Sequence, residues 1–461
     1  MLYYIFSICL QKYINKARID THGRGEYYIP MSIMELDNAL HPTSVLRWLY
    51  VDFNSYFASV EQQLTPELRG RPIAVVPVET DSTCAIAASY EAKAFGVKTG
   101  TPVYEAKKMC PGIICVPARH EHYVEFHHRI LEEVDRHIPV SMVCSIDEVA
   151  CRLMDNETTL ARIQEIAASI KRGLAQNVGE YVKCSIGVAP NRYLAKVATD
   201  LQKPNGFTVI GHDDLPGKLY DLKLRDLPGI GYNMEKRLLL AGINDMRILW
   251  ELDASRMRKV WGSVWGEKMW YYLRGYELPD EETTKSTIGH SHVMAPELRD
   301  PAKAKYVARR LTLKVVSRLR RIGYYASYFR LSVRIENGPR IEDGEHCYRA
   351  QDTMTLLHML DTAWDKIIAQ TKKGAKIKKI SVSLYGLVAA NELQPELFSE
   401  LPDVDLHARV KSEKMSRALD KINHRFGRDS VLVGMLPSQG KSFSGTKIAF
   451  TRIPDVEEFL E

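Results

Sequence analysis

A chain of 461 residues is too long for one hydrophobic core and divides into several domains. Its 45% hydrophobic and 26% charged residues are ordinary for a globular protein, and no stretch reaches the roughly 20 apolar residues of a membrane span. The net charge of +6 leans only slightly toward polyanions, and eight scattered cysteines without a C-x-x-C pair exclude a disulfide framework or zinc module, so reduced thiols in a cytoplasmic protein are expected.

Residues 1–45 show no sustained period. The apolar run Leu2–Leu10 lacks a basic flank and a cleavage site, so it is not a signal peptide. With Met31 and Met34 following, this segment is expected to lie outside the fold, a packed extension being the alternative.

From Leu46 the pattern sharpens. Leu46–Val51 reads as a buried strand, Tyr56–Gln63 as a helix, and Pro72–Val78 and Ala85–Ala88 as strands. Tyr90–Phe95 is helix-like and stopped by Gly96; Ile113–Pro117 is a short strand, and His120–His137 a helix ending at Pro139. Val140–Ser145 and Val149–Leu153 read as hairpin arms. Thr158–Gln176 is an amphipathic helix, Val182–Val188 a strand containing Gly187, and Asn191–Gln202 a helix. Strands and helices alternate to about residue 210, which predicts an α/β or α+β core.

Short helices and glycine turns follow. Leu227-Pro228-Gly229-Ile230-Gly231 precedes a helix over Asn233–Ala241, and Pro279–Lys285 is a polar linker. Then come a strand over Ser286–Met294, a helix over Pro301–Arg321, and strands over Tyr328–Ile335 and His346–Ala350. A helix over Thr353–Thr371 and a strand over Ile377–Leu387 complete a β-α-β-β-α-β order, the ferredoxin-like split motif.

Two acidic clusters stand on apolar runs: Asp52 after Leu49-Tyr50-Val51, and Asp147-Glu148 between the hairpin arms. Carboxylates brought together repel and are costly to desolvate, and hard divalent cations are the usual compensation. Neighbours in a regular strand point to opposite faces, so Asp147 and Glu148 serve one cluster only at a hairpin tip or irregularity. Taken singly, Asp52 could cap a helix and Asp147-Glu148 could be a solvated turn.

Four motifs carry a family resemblance: V-D-F-N-S-Y-F-A-S-V-E (51–61), Y-E-A-K-A-F-G-V-K-T-G (90–100), S-I-D-E (145–148) and S-I-G-V-A-P-N-R-Y-L-A-K-V-A-T-D-L-Q-K-P-N-G (185–206). In this order they resemble the Y-family translesion DNA polymerases, over about residues 46–440. Lys93 and the tail around Met415–Asn423 and Arg425–Arg428 look like the polymerase V-type branch; a polymerase IV-like group is the other placement.

The resemblance implies a right-hand polymerase. Residues 46–60 and 120–212 would be the palm, 61–119 the fingers, 213–278 a thumb with helix-hairpin-helix, 279–290 a linker, 291–390 a ferredoxin-like little finger and 391–461 a tail. It implies low-fidelity DNA-directed synthesis opposite damaged template by two-metal phosphoryl transfer. Asp52, Asp147, Glu148 and the Phe53 carbonyl would hold two Mg²⁺ ions. Phe57 would be the steric gate against a ribose 2′-OH, or else a core aromatic. Tyr90, Lys93 and Lys203 would grip the triphosphate, with Lys93 where many members have Arg and Ala87 where many have Thr. Lys196, seven residues before Lys203, shares a helical face with it or is a surface lysine.

DNA contacts are expected from Gly229 and Gly231, whose backbone can approach a phosphate closely, and from the basic helix through Arg309, Arg310 and Lys314. Gln394, Leu397 and Phe398 resemble a peptide that holds the sliding clamp in bacteria, and the polymerase V-type likeness implies a dimeric SOS-induced accessory protein. His120, His122, His127 and His128 read as a solvated helix face rather than a zinc site. A non-catalytic DNA-binding repair protein and a helix-hairpin-helix nuclease are the alternative functions.

Overall fold

The computed structural model describes residues 44–280, 285–372, 374–392, 406–427, 430–431, 433–434 and 453. They form two compact units, one of Gly211–Leu278 and one of Leu46–Ile210 with the residues from Pro279 onward. No helix among the described residues is long and apolar enough to cross a membrane.

In the larger unit the chain runs β1 (Trp48–Phe53), α1 (Tyr56–Leu64), β2 (Ile73–Val76), β3 (Ala87–Ala88), α2 (Tyr90–Lys93), α3 (Val103–Met109), β4 (Ile114–Pro117) and α4 (His120–Asp135). It continues through β5 (Val140–Ser145), β6 (Glu148–Arg152), α5 (Leu160–Gly173), β7 (Cys184–Ala189), α6 (Arg192–Leu201) and β8 (Phe207–Val209). The main sheet has the order β5-β6-β1-β7-β8, with β1 at its centre and antiparallel to both neighbours. A small sheet, β3-β2-β4, holds the segment between α1 and α4.

The central strand shows how the site is built. Leu49, Val51 and Phe53 bury against one core with Tyr123, Val124 and Ile130 of α4 and Ile163, Ile166 and Ile170 of α5. By alternation Tyr50 and Asp52 face the other side, toward α6. Gly187, opposite Tyr50 in β7, admits that helix: a Cβ there would lie 2.1 Å from the Ala195 carbonyl oxygen. Asn191 starts α6 by accepting the Leu194 N–H at 2.8 Å.

The smaller unit carries α7 (Tyr232–Leu240), α8 (Met246–Glu251), α9 (Ala254–Trp261) and α10 (Val264–Leu273). Arg274 is clamped between the Trp250 and Trp270 rings, 4.2 and 4.1 Å from their centroids.

From Pro279 the larger unit resumes with β9 (Thr287–Val293), α11 (Pro301–Arg321), β10 (Tyr324–Ile335), β11 (Arg340–Ala350), α12 (Thr353–Ala369), β12 (Ile377–Tyr385), β13 (Val388–Ala389) and a tail helix α13 (Leu406–Phe426). The β-α-β-β-α-β order is as expected, although β9 begins inside the stretch assigned to a linker. The sheet order β11-β10-β12-β9 splits each β-α-β unit with an inserted strand. It places the first and third strands at the edges, whereas the ferredoxin arrangement places the second and fourth there. The tail helix docks through Asp420 on Arg320, 2.6 Å, and through Ser416 accepting the Thr353 N–H, 3.0 Å.

Candidate active site

The acidic clusters meet at the end of the central strand. Asp52 pairs in register with Glu148, the first residue of β6, and Asp147 lies in the two-residue turn before it. A register irregularity between Val143 and Ser145 bends the hairpin there. This is the hairpin tip that two adjacent carboxylates require. The Asp147 carbonyl accepts the Phe53 N–H at 2.9 Å and the Ile146 carbonyl accepts from His127 Nδ1 at 2.8 Å, which fix the tip from both sides. His127 is therefore buried, and His120 is buried too, its ring 5.9 Å from that of Tyr123, so the expectation of four solvated histidines fails for both. The α4 face at His127 packs under the hairpin.

Charge is compensated by lysines. Lys196 of α6 bridges Asp52 and Glu148, 2.8 Å from Glu148 Oε1, and lies 3.5 Å from Asp200. Lys203 lies 2.8 Å from Asp52 Oδ1 and 2.7 Å from Asp200 Oδ1. The surface-lysine reading of Lys196 is thus set aside: its helix leans onto the sheet at Gly187. Burial raises the Asp52 carboxyl, but Lys196 and Lys203 outweigh it and hold it below the usual range. Among the described residues no ammonium or guanidinium pairs directly with Asp147, and Lys196 acts on it only at a distance. Burial, with Glu148 and Asp52 adding like charge, pushes its carboxyl up to about 6 against the Ser145 hydroxyl bonded to it at 2.6 Å.

Tyr50 completes the cluster and was not singled out from the sequence. Its hydroxyl donates to Glu148 Oε2 at 2.9 Å, opposite the oxygen that Lys196 holds. The signal was present: Tyr50 is two residues before Asp52, on the same face of the same strand.

Among the described residues no three His, Cys, Asp or Glu side chains group closely enough to hold a metal alone. The donor set nevertheless fits a hard divalent cation. It is all oxygen, and Asp147 is short of positive charge, as expected of a ligand completed by a cation and substrate phosphates.

Around this centre, Ser55 at φ 48° makes the tight turn between β1 and α1. Phe57 follows, its ring stacked on Tyr123 with centroids 4.4 Å apart and planes 15° off parallel. Lys93 Nζ sits 4.4 Å from the Tyr90 ring centroid. Burial and Lys203 lower the Lys93 ammonium while Asp52 opposes them, which places Lys93 within the field of the cluster.

The expected DNA-binding residues separate. Gly229, at φ 91°, adopts a backbone that favours glycine, and exposed Gly231 is the N-cap of α7. The basic helix α11 does not present one face. Arg309 pairs with Asp361 of α12 at 3.2 Å, and Lys305 with Asp361 at 3.0 Å. Arg310 and Lys314 instead lie near His292 of β9; burial first, then these charges, push its imidazole down to about 4. Both long helices cover one side of the sheet over Phe329, Leu331, Val333, Val382 and Leu384. The opposite side is covered by neither helix and was not anticipated; Ser332 is buried there under Arg340, whose Nε donates to its Oγ at 2.6 Å, and Glu342 pairs with Arg340 at 2.5 Å. That side carries Arg334 beside Lys379 and Arg340, and small Ser332 beside Ser381. Arg330 sits there 5.0 Å from the Tyr385 ring centroid. The cue was the alternation Arg330-x-Ser332-x-Arg334 against Lys379-x-Ser381-x-Ser383. Gln394, Leu397 and Phe398 lie outside the described residues.

A sheet ending in carboxylates and a split β-α-β sheet in the larger unit, with a helical smaller unit carrying the glycine turn, fit a template-directed polymerase. Comparison with known proteins agrees. Residues 51–200 match the impB/mucB/samB family, 285–397 its C-terminal domain, and 225–277 a DNA polymerase-iota thumb domain. A DNA polymerase IV of Moorella thermoacetica is 33% identical over 398 residues, 82% of this chain and 93% of that one. Another, of Pelotomaculum thermopropionicum, is 31% identical over 83% of this chain and 94% of its own. A solved Y-family DNA polymerase chimera, Dbh-Dpo4(243-245)-Dbh, shares the fold with TM-score 0.64 at 24% identity, over 74% of this chain and 99% of that one. The chain belongs to the Y-family DNA polymerases, and these relatives carry the polymerase IV name, one of the two groups it resembled. It is a DNA-directed DNA polymerase of the translesion type, not a nuclease or a non-catalytic repair protein.

Proposed function

We propose that Asp52, Asp147, Glu148 and the Phe53 carbonyl hold two Mg²⁺ ions, so that dNTPs are added to a primer 3′ end. The supporting observation is the register: Asp52 faces Glu148 across adjacent strands, with Asp147 at the tip beside them. When bound, the ions would activate the primer 3′-OH toward the α-phosphate and stabilise the pyrophosphate that leaves. The chain's own residues prepare the rest. Tyr50 holds Glu148 in orientation. Lys203, Lys93 and Tyr90 bind the triphosphate, and Lys203 and Lys196 turn from the carboxylates toward phosphate oxygens. The Phe57 ring occupies the space a 2′-OH needs.

Primer-template DNA is held by the backbone N–H groups at Gly229 and Gly231 and by the helix-free face of the sheet through Arg334 and Lys379, with Arg310 and Lys314, on the helix side beside edge strand β9, as further phosphate contacts; Arg340 on that face is paired with Glu342 at 2.5 Å. Arg309 is reassigned to packing, because Asp361 neutralises it. Gln394, Leu397 and Phe398 are kept as a sliding-clamp peptide, and a dimeric accessory protein as a further partner. Primer extension on undamaged and abasic templates with Mg²⁺ tests the reading. Wild type should extend both, and Asp147→Ala should extend neither while its DNA affinity stays close to wild type. Wild-type-like extension by Asp147→Ala would overturn the metal assignment.

A further inference from the structure

Behind Phe57 lies a buried polar chain that the reaction itself does not use. Tyr123, fully buried, stacks on Phe57. Its hydroxyl donates to Glu61 Oε1 at 2.6 Å and accepts the Arg119 N–H at 3.1 Å, and its carbonyl accepts the Tyr56 hydroxyl at 2.6 Å. Glu61 has no exposed surface, and the Arg119 guanidinium grips its carboxylate, with Nε 2.9 Å from Oε2 and a second contact from Nη2. All three restraints on Tyr123 are buried or half-buried, so its ring has one place to be.

Stability alone does not account for this arrangement. The Arg119 side chain is 41% exposed, so water screens its attraction for the fully buried Glu61 and it offsets little of the cost of desolvating that carboxylate. What such a pair supplies is a fixed position. Position is what a steric filter depends on, since a displacement of about 1 Å at a reacting site can change rates by about 100-fold. Phe57 lies on α1 only four residues before Glu61, so gate and anchor share one helix face. The loop closes on itself: Phe57, Tyr123, Glu61, and back along α1.

We propose that the Glu61–Arg119 pair, acting through the Tyr123 hydroxyl, is the positioning element that sets deoxyribose selection by holding Tyr123 rigid behind Phe57. This rests on Phe57 being the gate. With the anchor lost, Tyr123 can retreat, the Phe57 ring follows, and a 2′-OH finds room. Ribonucleotide insertion should then rise while deoxynucleotide insertion changes little, because neither Tyr123 nor Glu61 meets the substrate.

The test compares kcat/KM for single insertion of dCTP and rCTP opposite template dG by the full chain. Tyr123→Phe keeps the stacked ring and removes only the anchor; Glu61→Gln keeps an acceptor and removes the ion pair. Each should lower the dCTP/rCTP preference about tenfold, the scale of one hydrogen bond to a charged group, through a gain in rCTP efficiency. Phe57→Ala should lower it further, and Phe57→Ala with Tyr123→Phe should add nothing, since the two act as a unit. If Phe57→Ala alone shifts the preference and Tyr123→Phe does not, the anchor proposal fails and the gate stands. If Phe57→Ala leaves the preference unchanged, the gate reading fails and takes this proposal with it. A preference lowered only through loss of dCTP efficiency also overturns the proposal. Should Glu61→Gln not fold, Tyr123→Phe decides.

Discussion

Lys196→Met should weaken the fold in a way that divalent cations repair. In the structure Lys196 bridges Asp52 and Glu148, and the Asp52 side chain is only 6% exposed. Removing one partner of a buried pair costs about 3–5 kcal/mol. Lys203 still holds Asp52 Oδ1 at 2.8 Å, and Glu148, 24% exposed, can turn to water. The expected loss is therefore about 2–3 kcal/mol, a fall in Tm of about 5–10 °C for a domain of this size. A cation bound between the carboxylates replaces the missing ammonium, and ligand at 100 times its Kd restores about 2.7 kcal/mol. In the wild type the same cation must first displace Lys196, so it stabilises less. Thermal denaturation without DNA or nucleotide, in EDTA and in MgCl₂, reads the difference. An equal deficit in both buffers would refute the reasoning, as would a wild type that gains as much from Mg²⁺ as the variant.

Tyr50→Phe keeps the ring but frees Glu148 Oε2, and Mn²⁺ affinity measured by calorimetry with a non-hydrolysable dNTP should fall about tenfold; an unchanged affinity would leave Lys196 as the only orienting partner. His127 is pushed from 6.5 to about 4 by burial, so the unfolded chain binds the extra proton between those values. Stability should thus be complete above pH 6.5 and drain as pH falls toward 4, by up to about 3 kcal/mol, and His127→Asn should flatten that slope in urea titrations at pH 7 and 4.5. Replacing Arg334 and Lys379 with alanine should reduce the salt slope of DNA binding by about 2, whereas Arg309→Ala should leave it unchanged and cost some thermal stability through Asp361.

What the sequence made legible was local. Buried β1 and the helix Pro301–Arg321 follow from the apolar period. The hairpin tip at Asp147 followed from the pleat, since no regular strand turns adjacent residues the same way. Long-range pairing was not legible. Asp361 is 52 residues beyond Arg309, so a helical wheel showed charge on α11 but not the acid facing it. The helix-free side of the sheet stayed hidden for the same reason: alternation shows two faces, not which one two helices cover. Strand β8 and helix α3 were not anticipated. The buried histidines were misread because α4 packs on both the core and the hairpin, leaving a narrower solvent face than its composition suggests.

The alternation that buries Leu49 and Val51 also explains why lysines meet the carboxylates. It sets Tyr50 and Asp52 on the face that α6 covers, and Gly187 lets α6 come close enough to deliver Lys196. A site that took up the proposed cations with its substrate would have to be anionic and yet survive without them. Bare carboxylates at that depth would protonate, as Asp147 begins to do with its carboxyl near 6. Asp52 is spared because two ammonium groups keep it charged. The same groups are long and flexible, so on the proposed assignment a triphosphate arriving with the cations would offer the lysines a destination. On that assignment substrate binding would require of this cluster an exchange of partners rather than creation of charge. That accounts for lysines here where arginine would hold carboxylates more tightly and release them less readily.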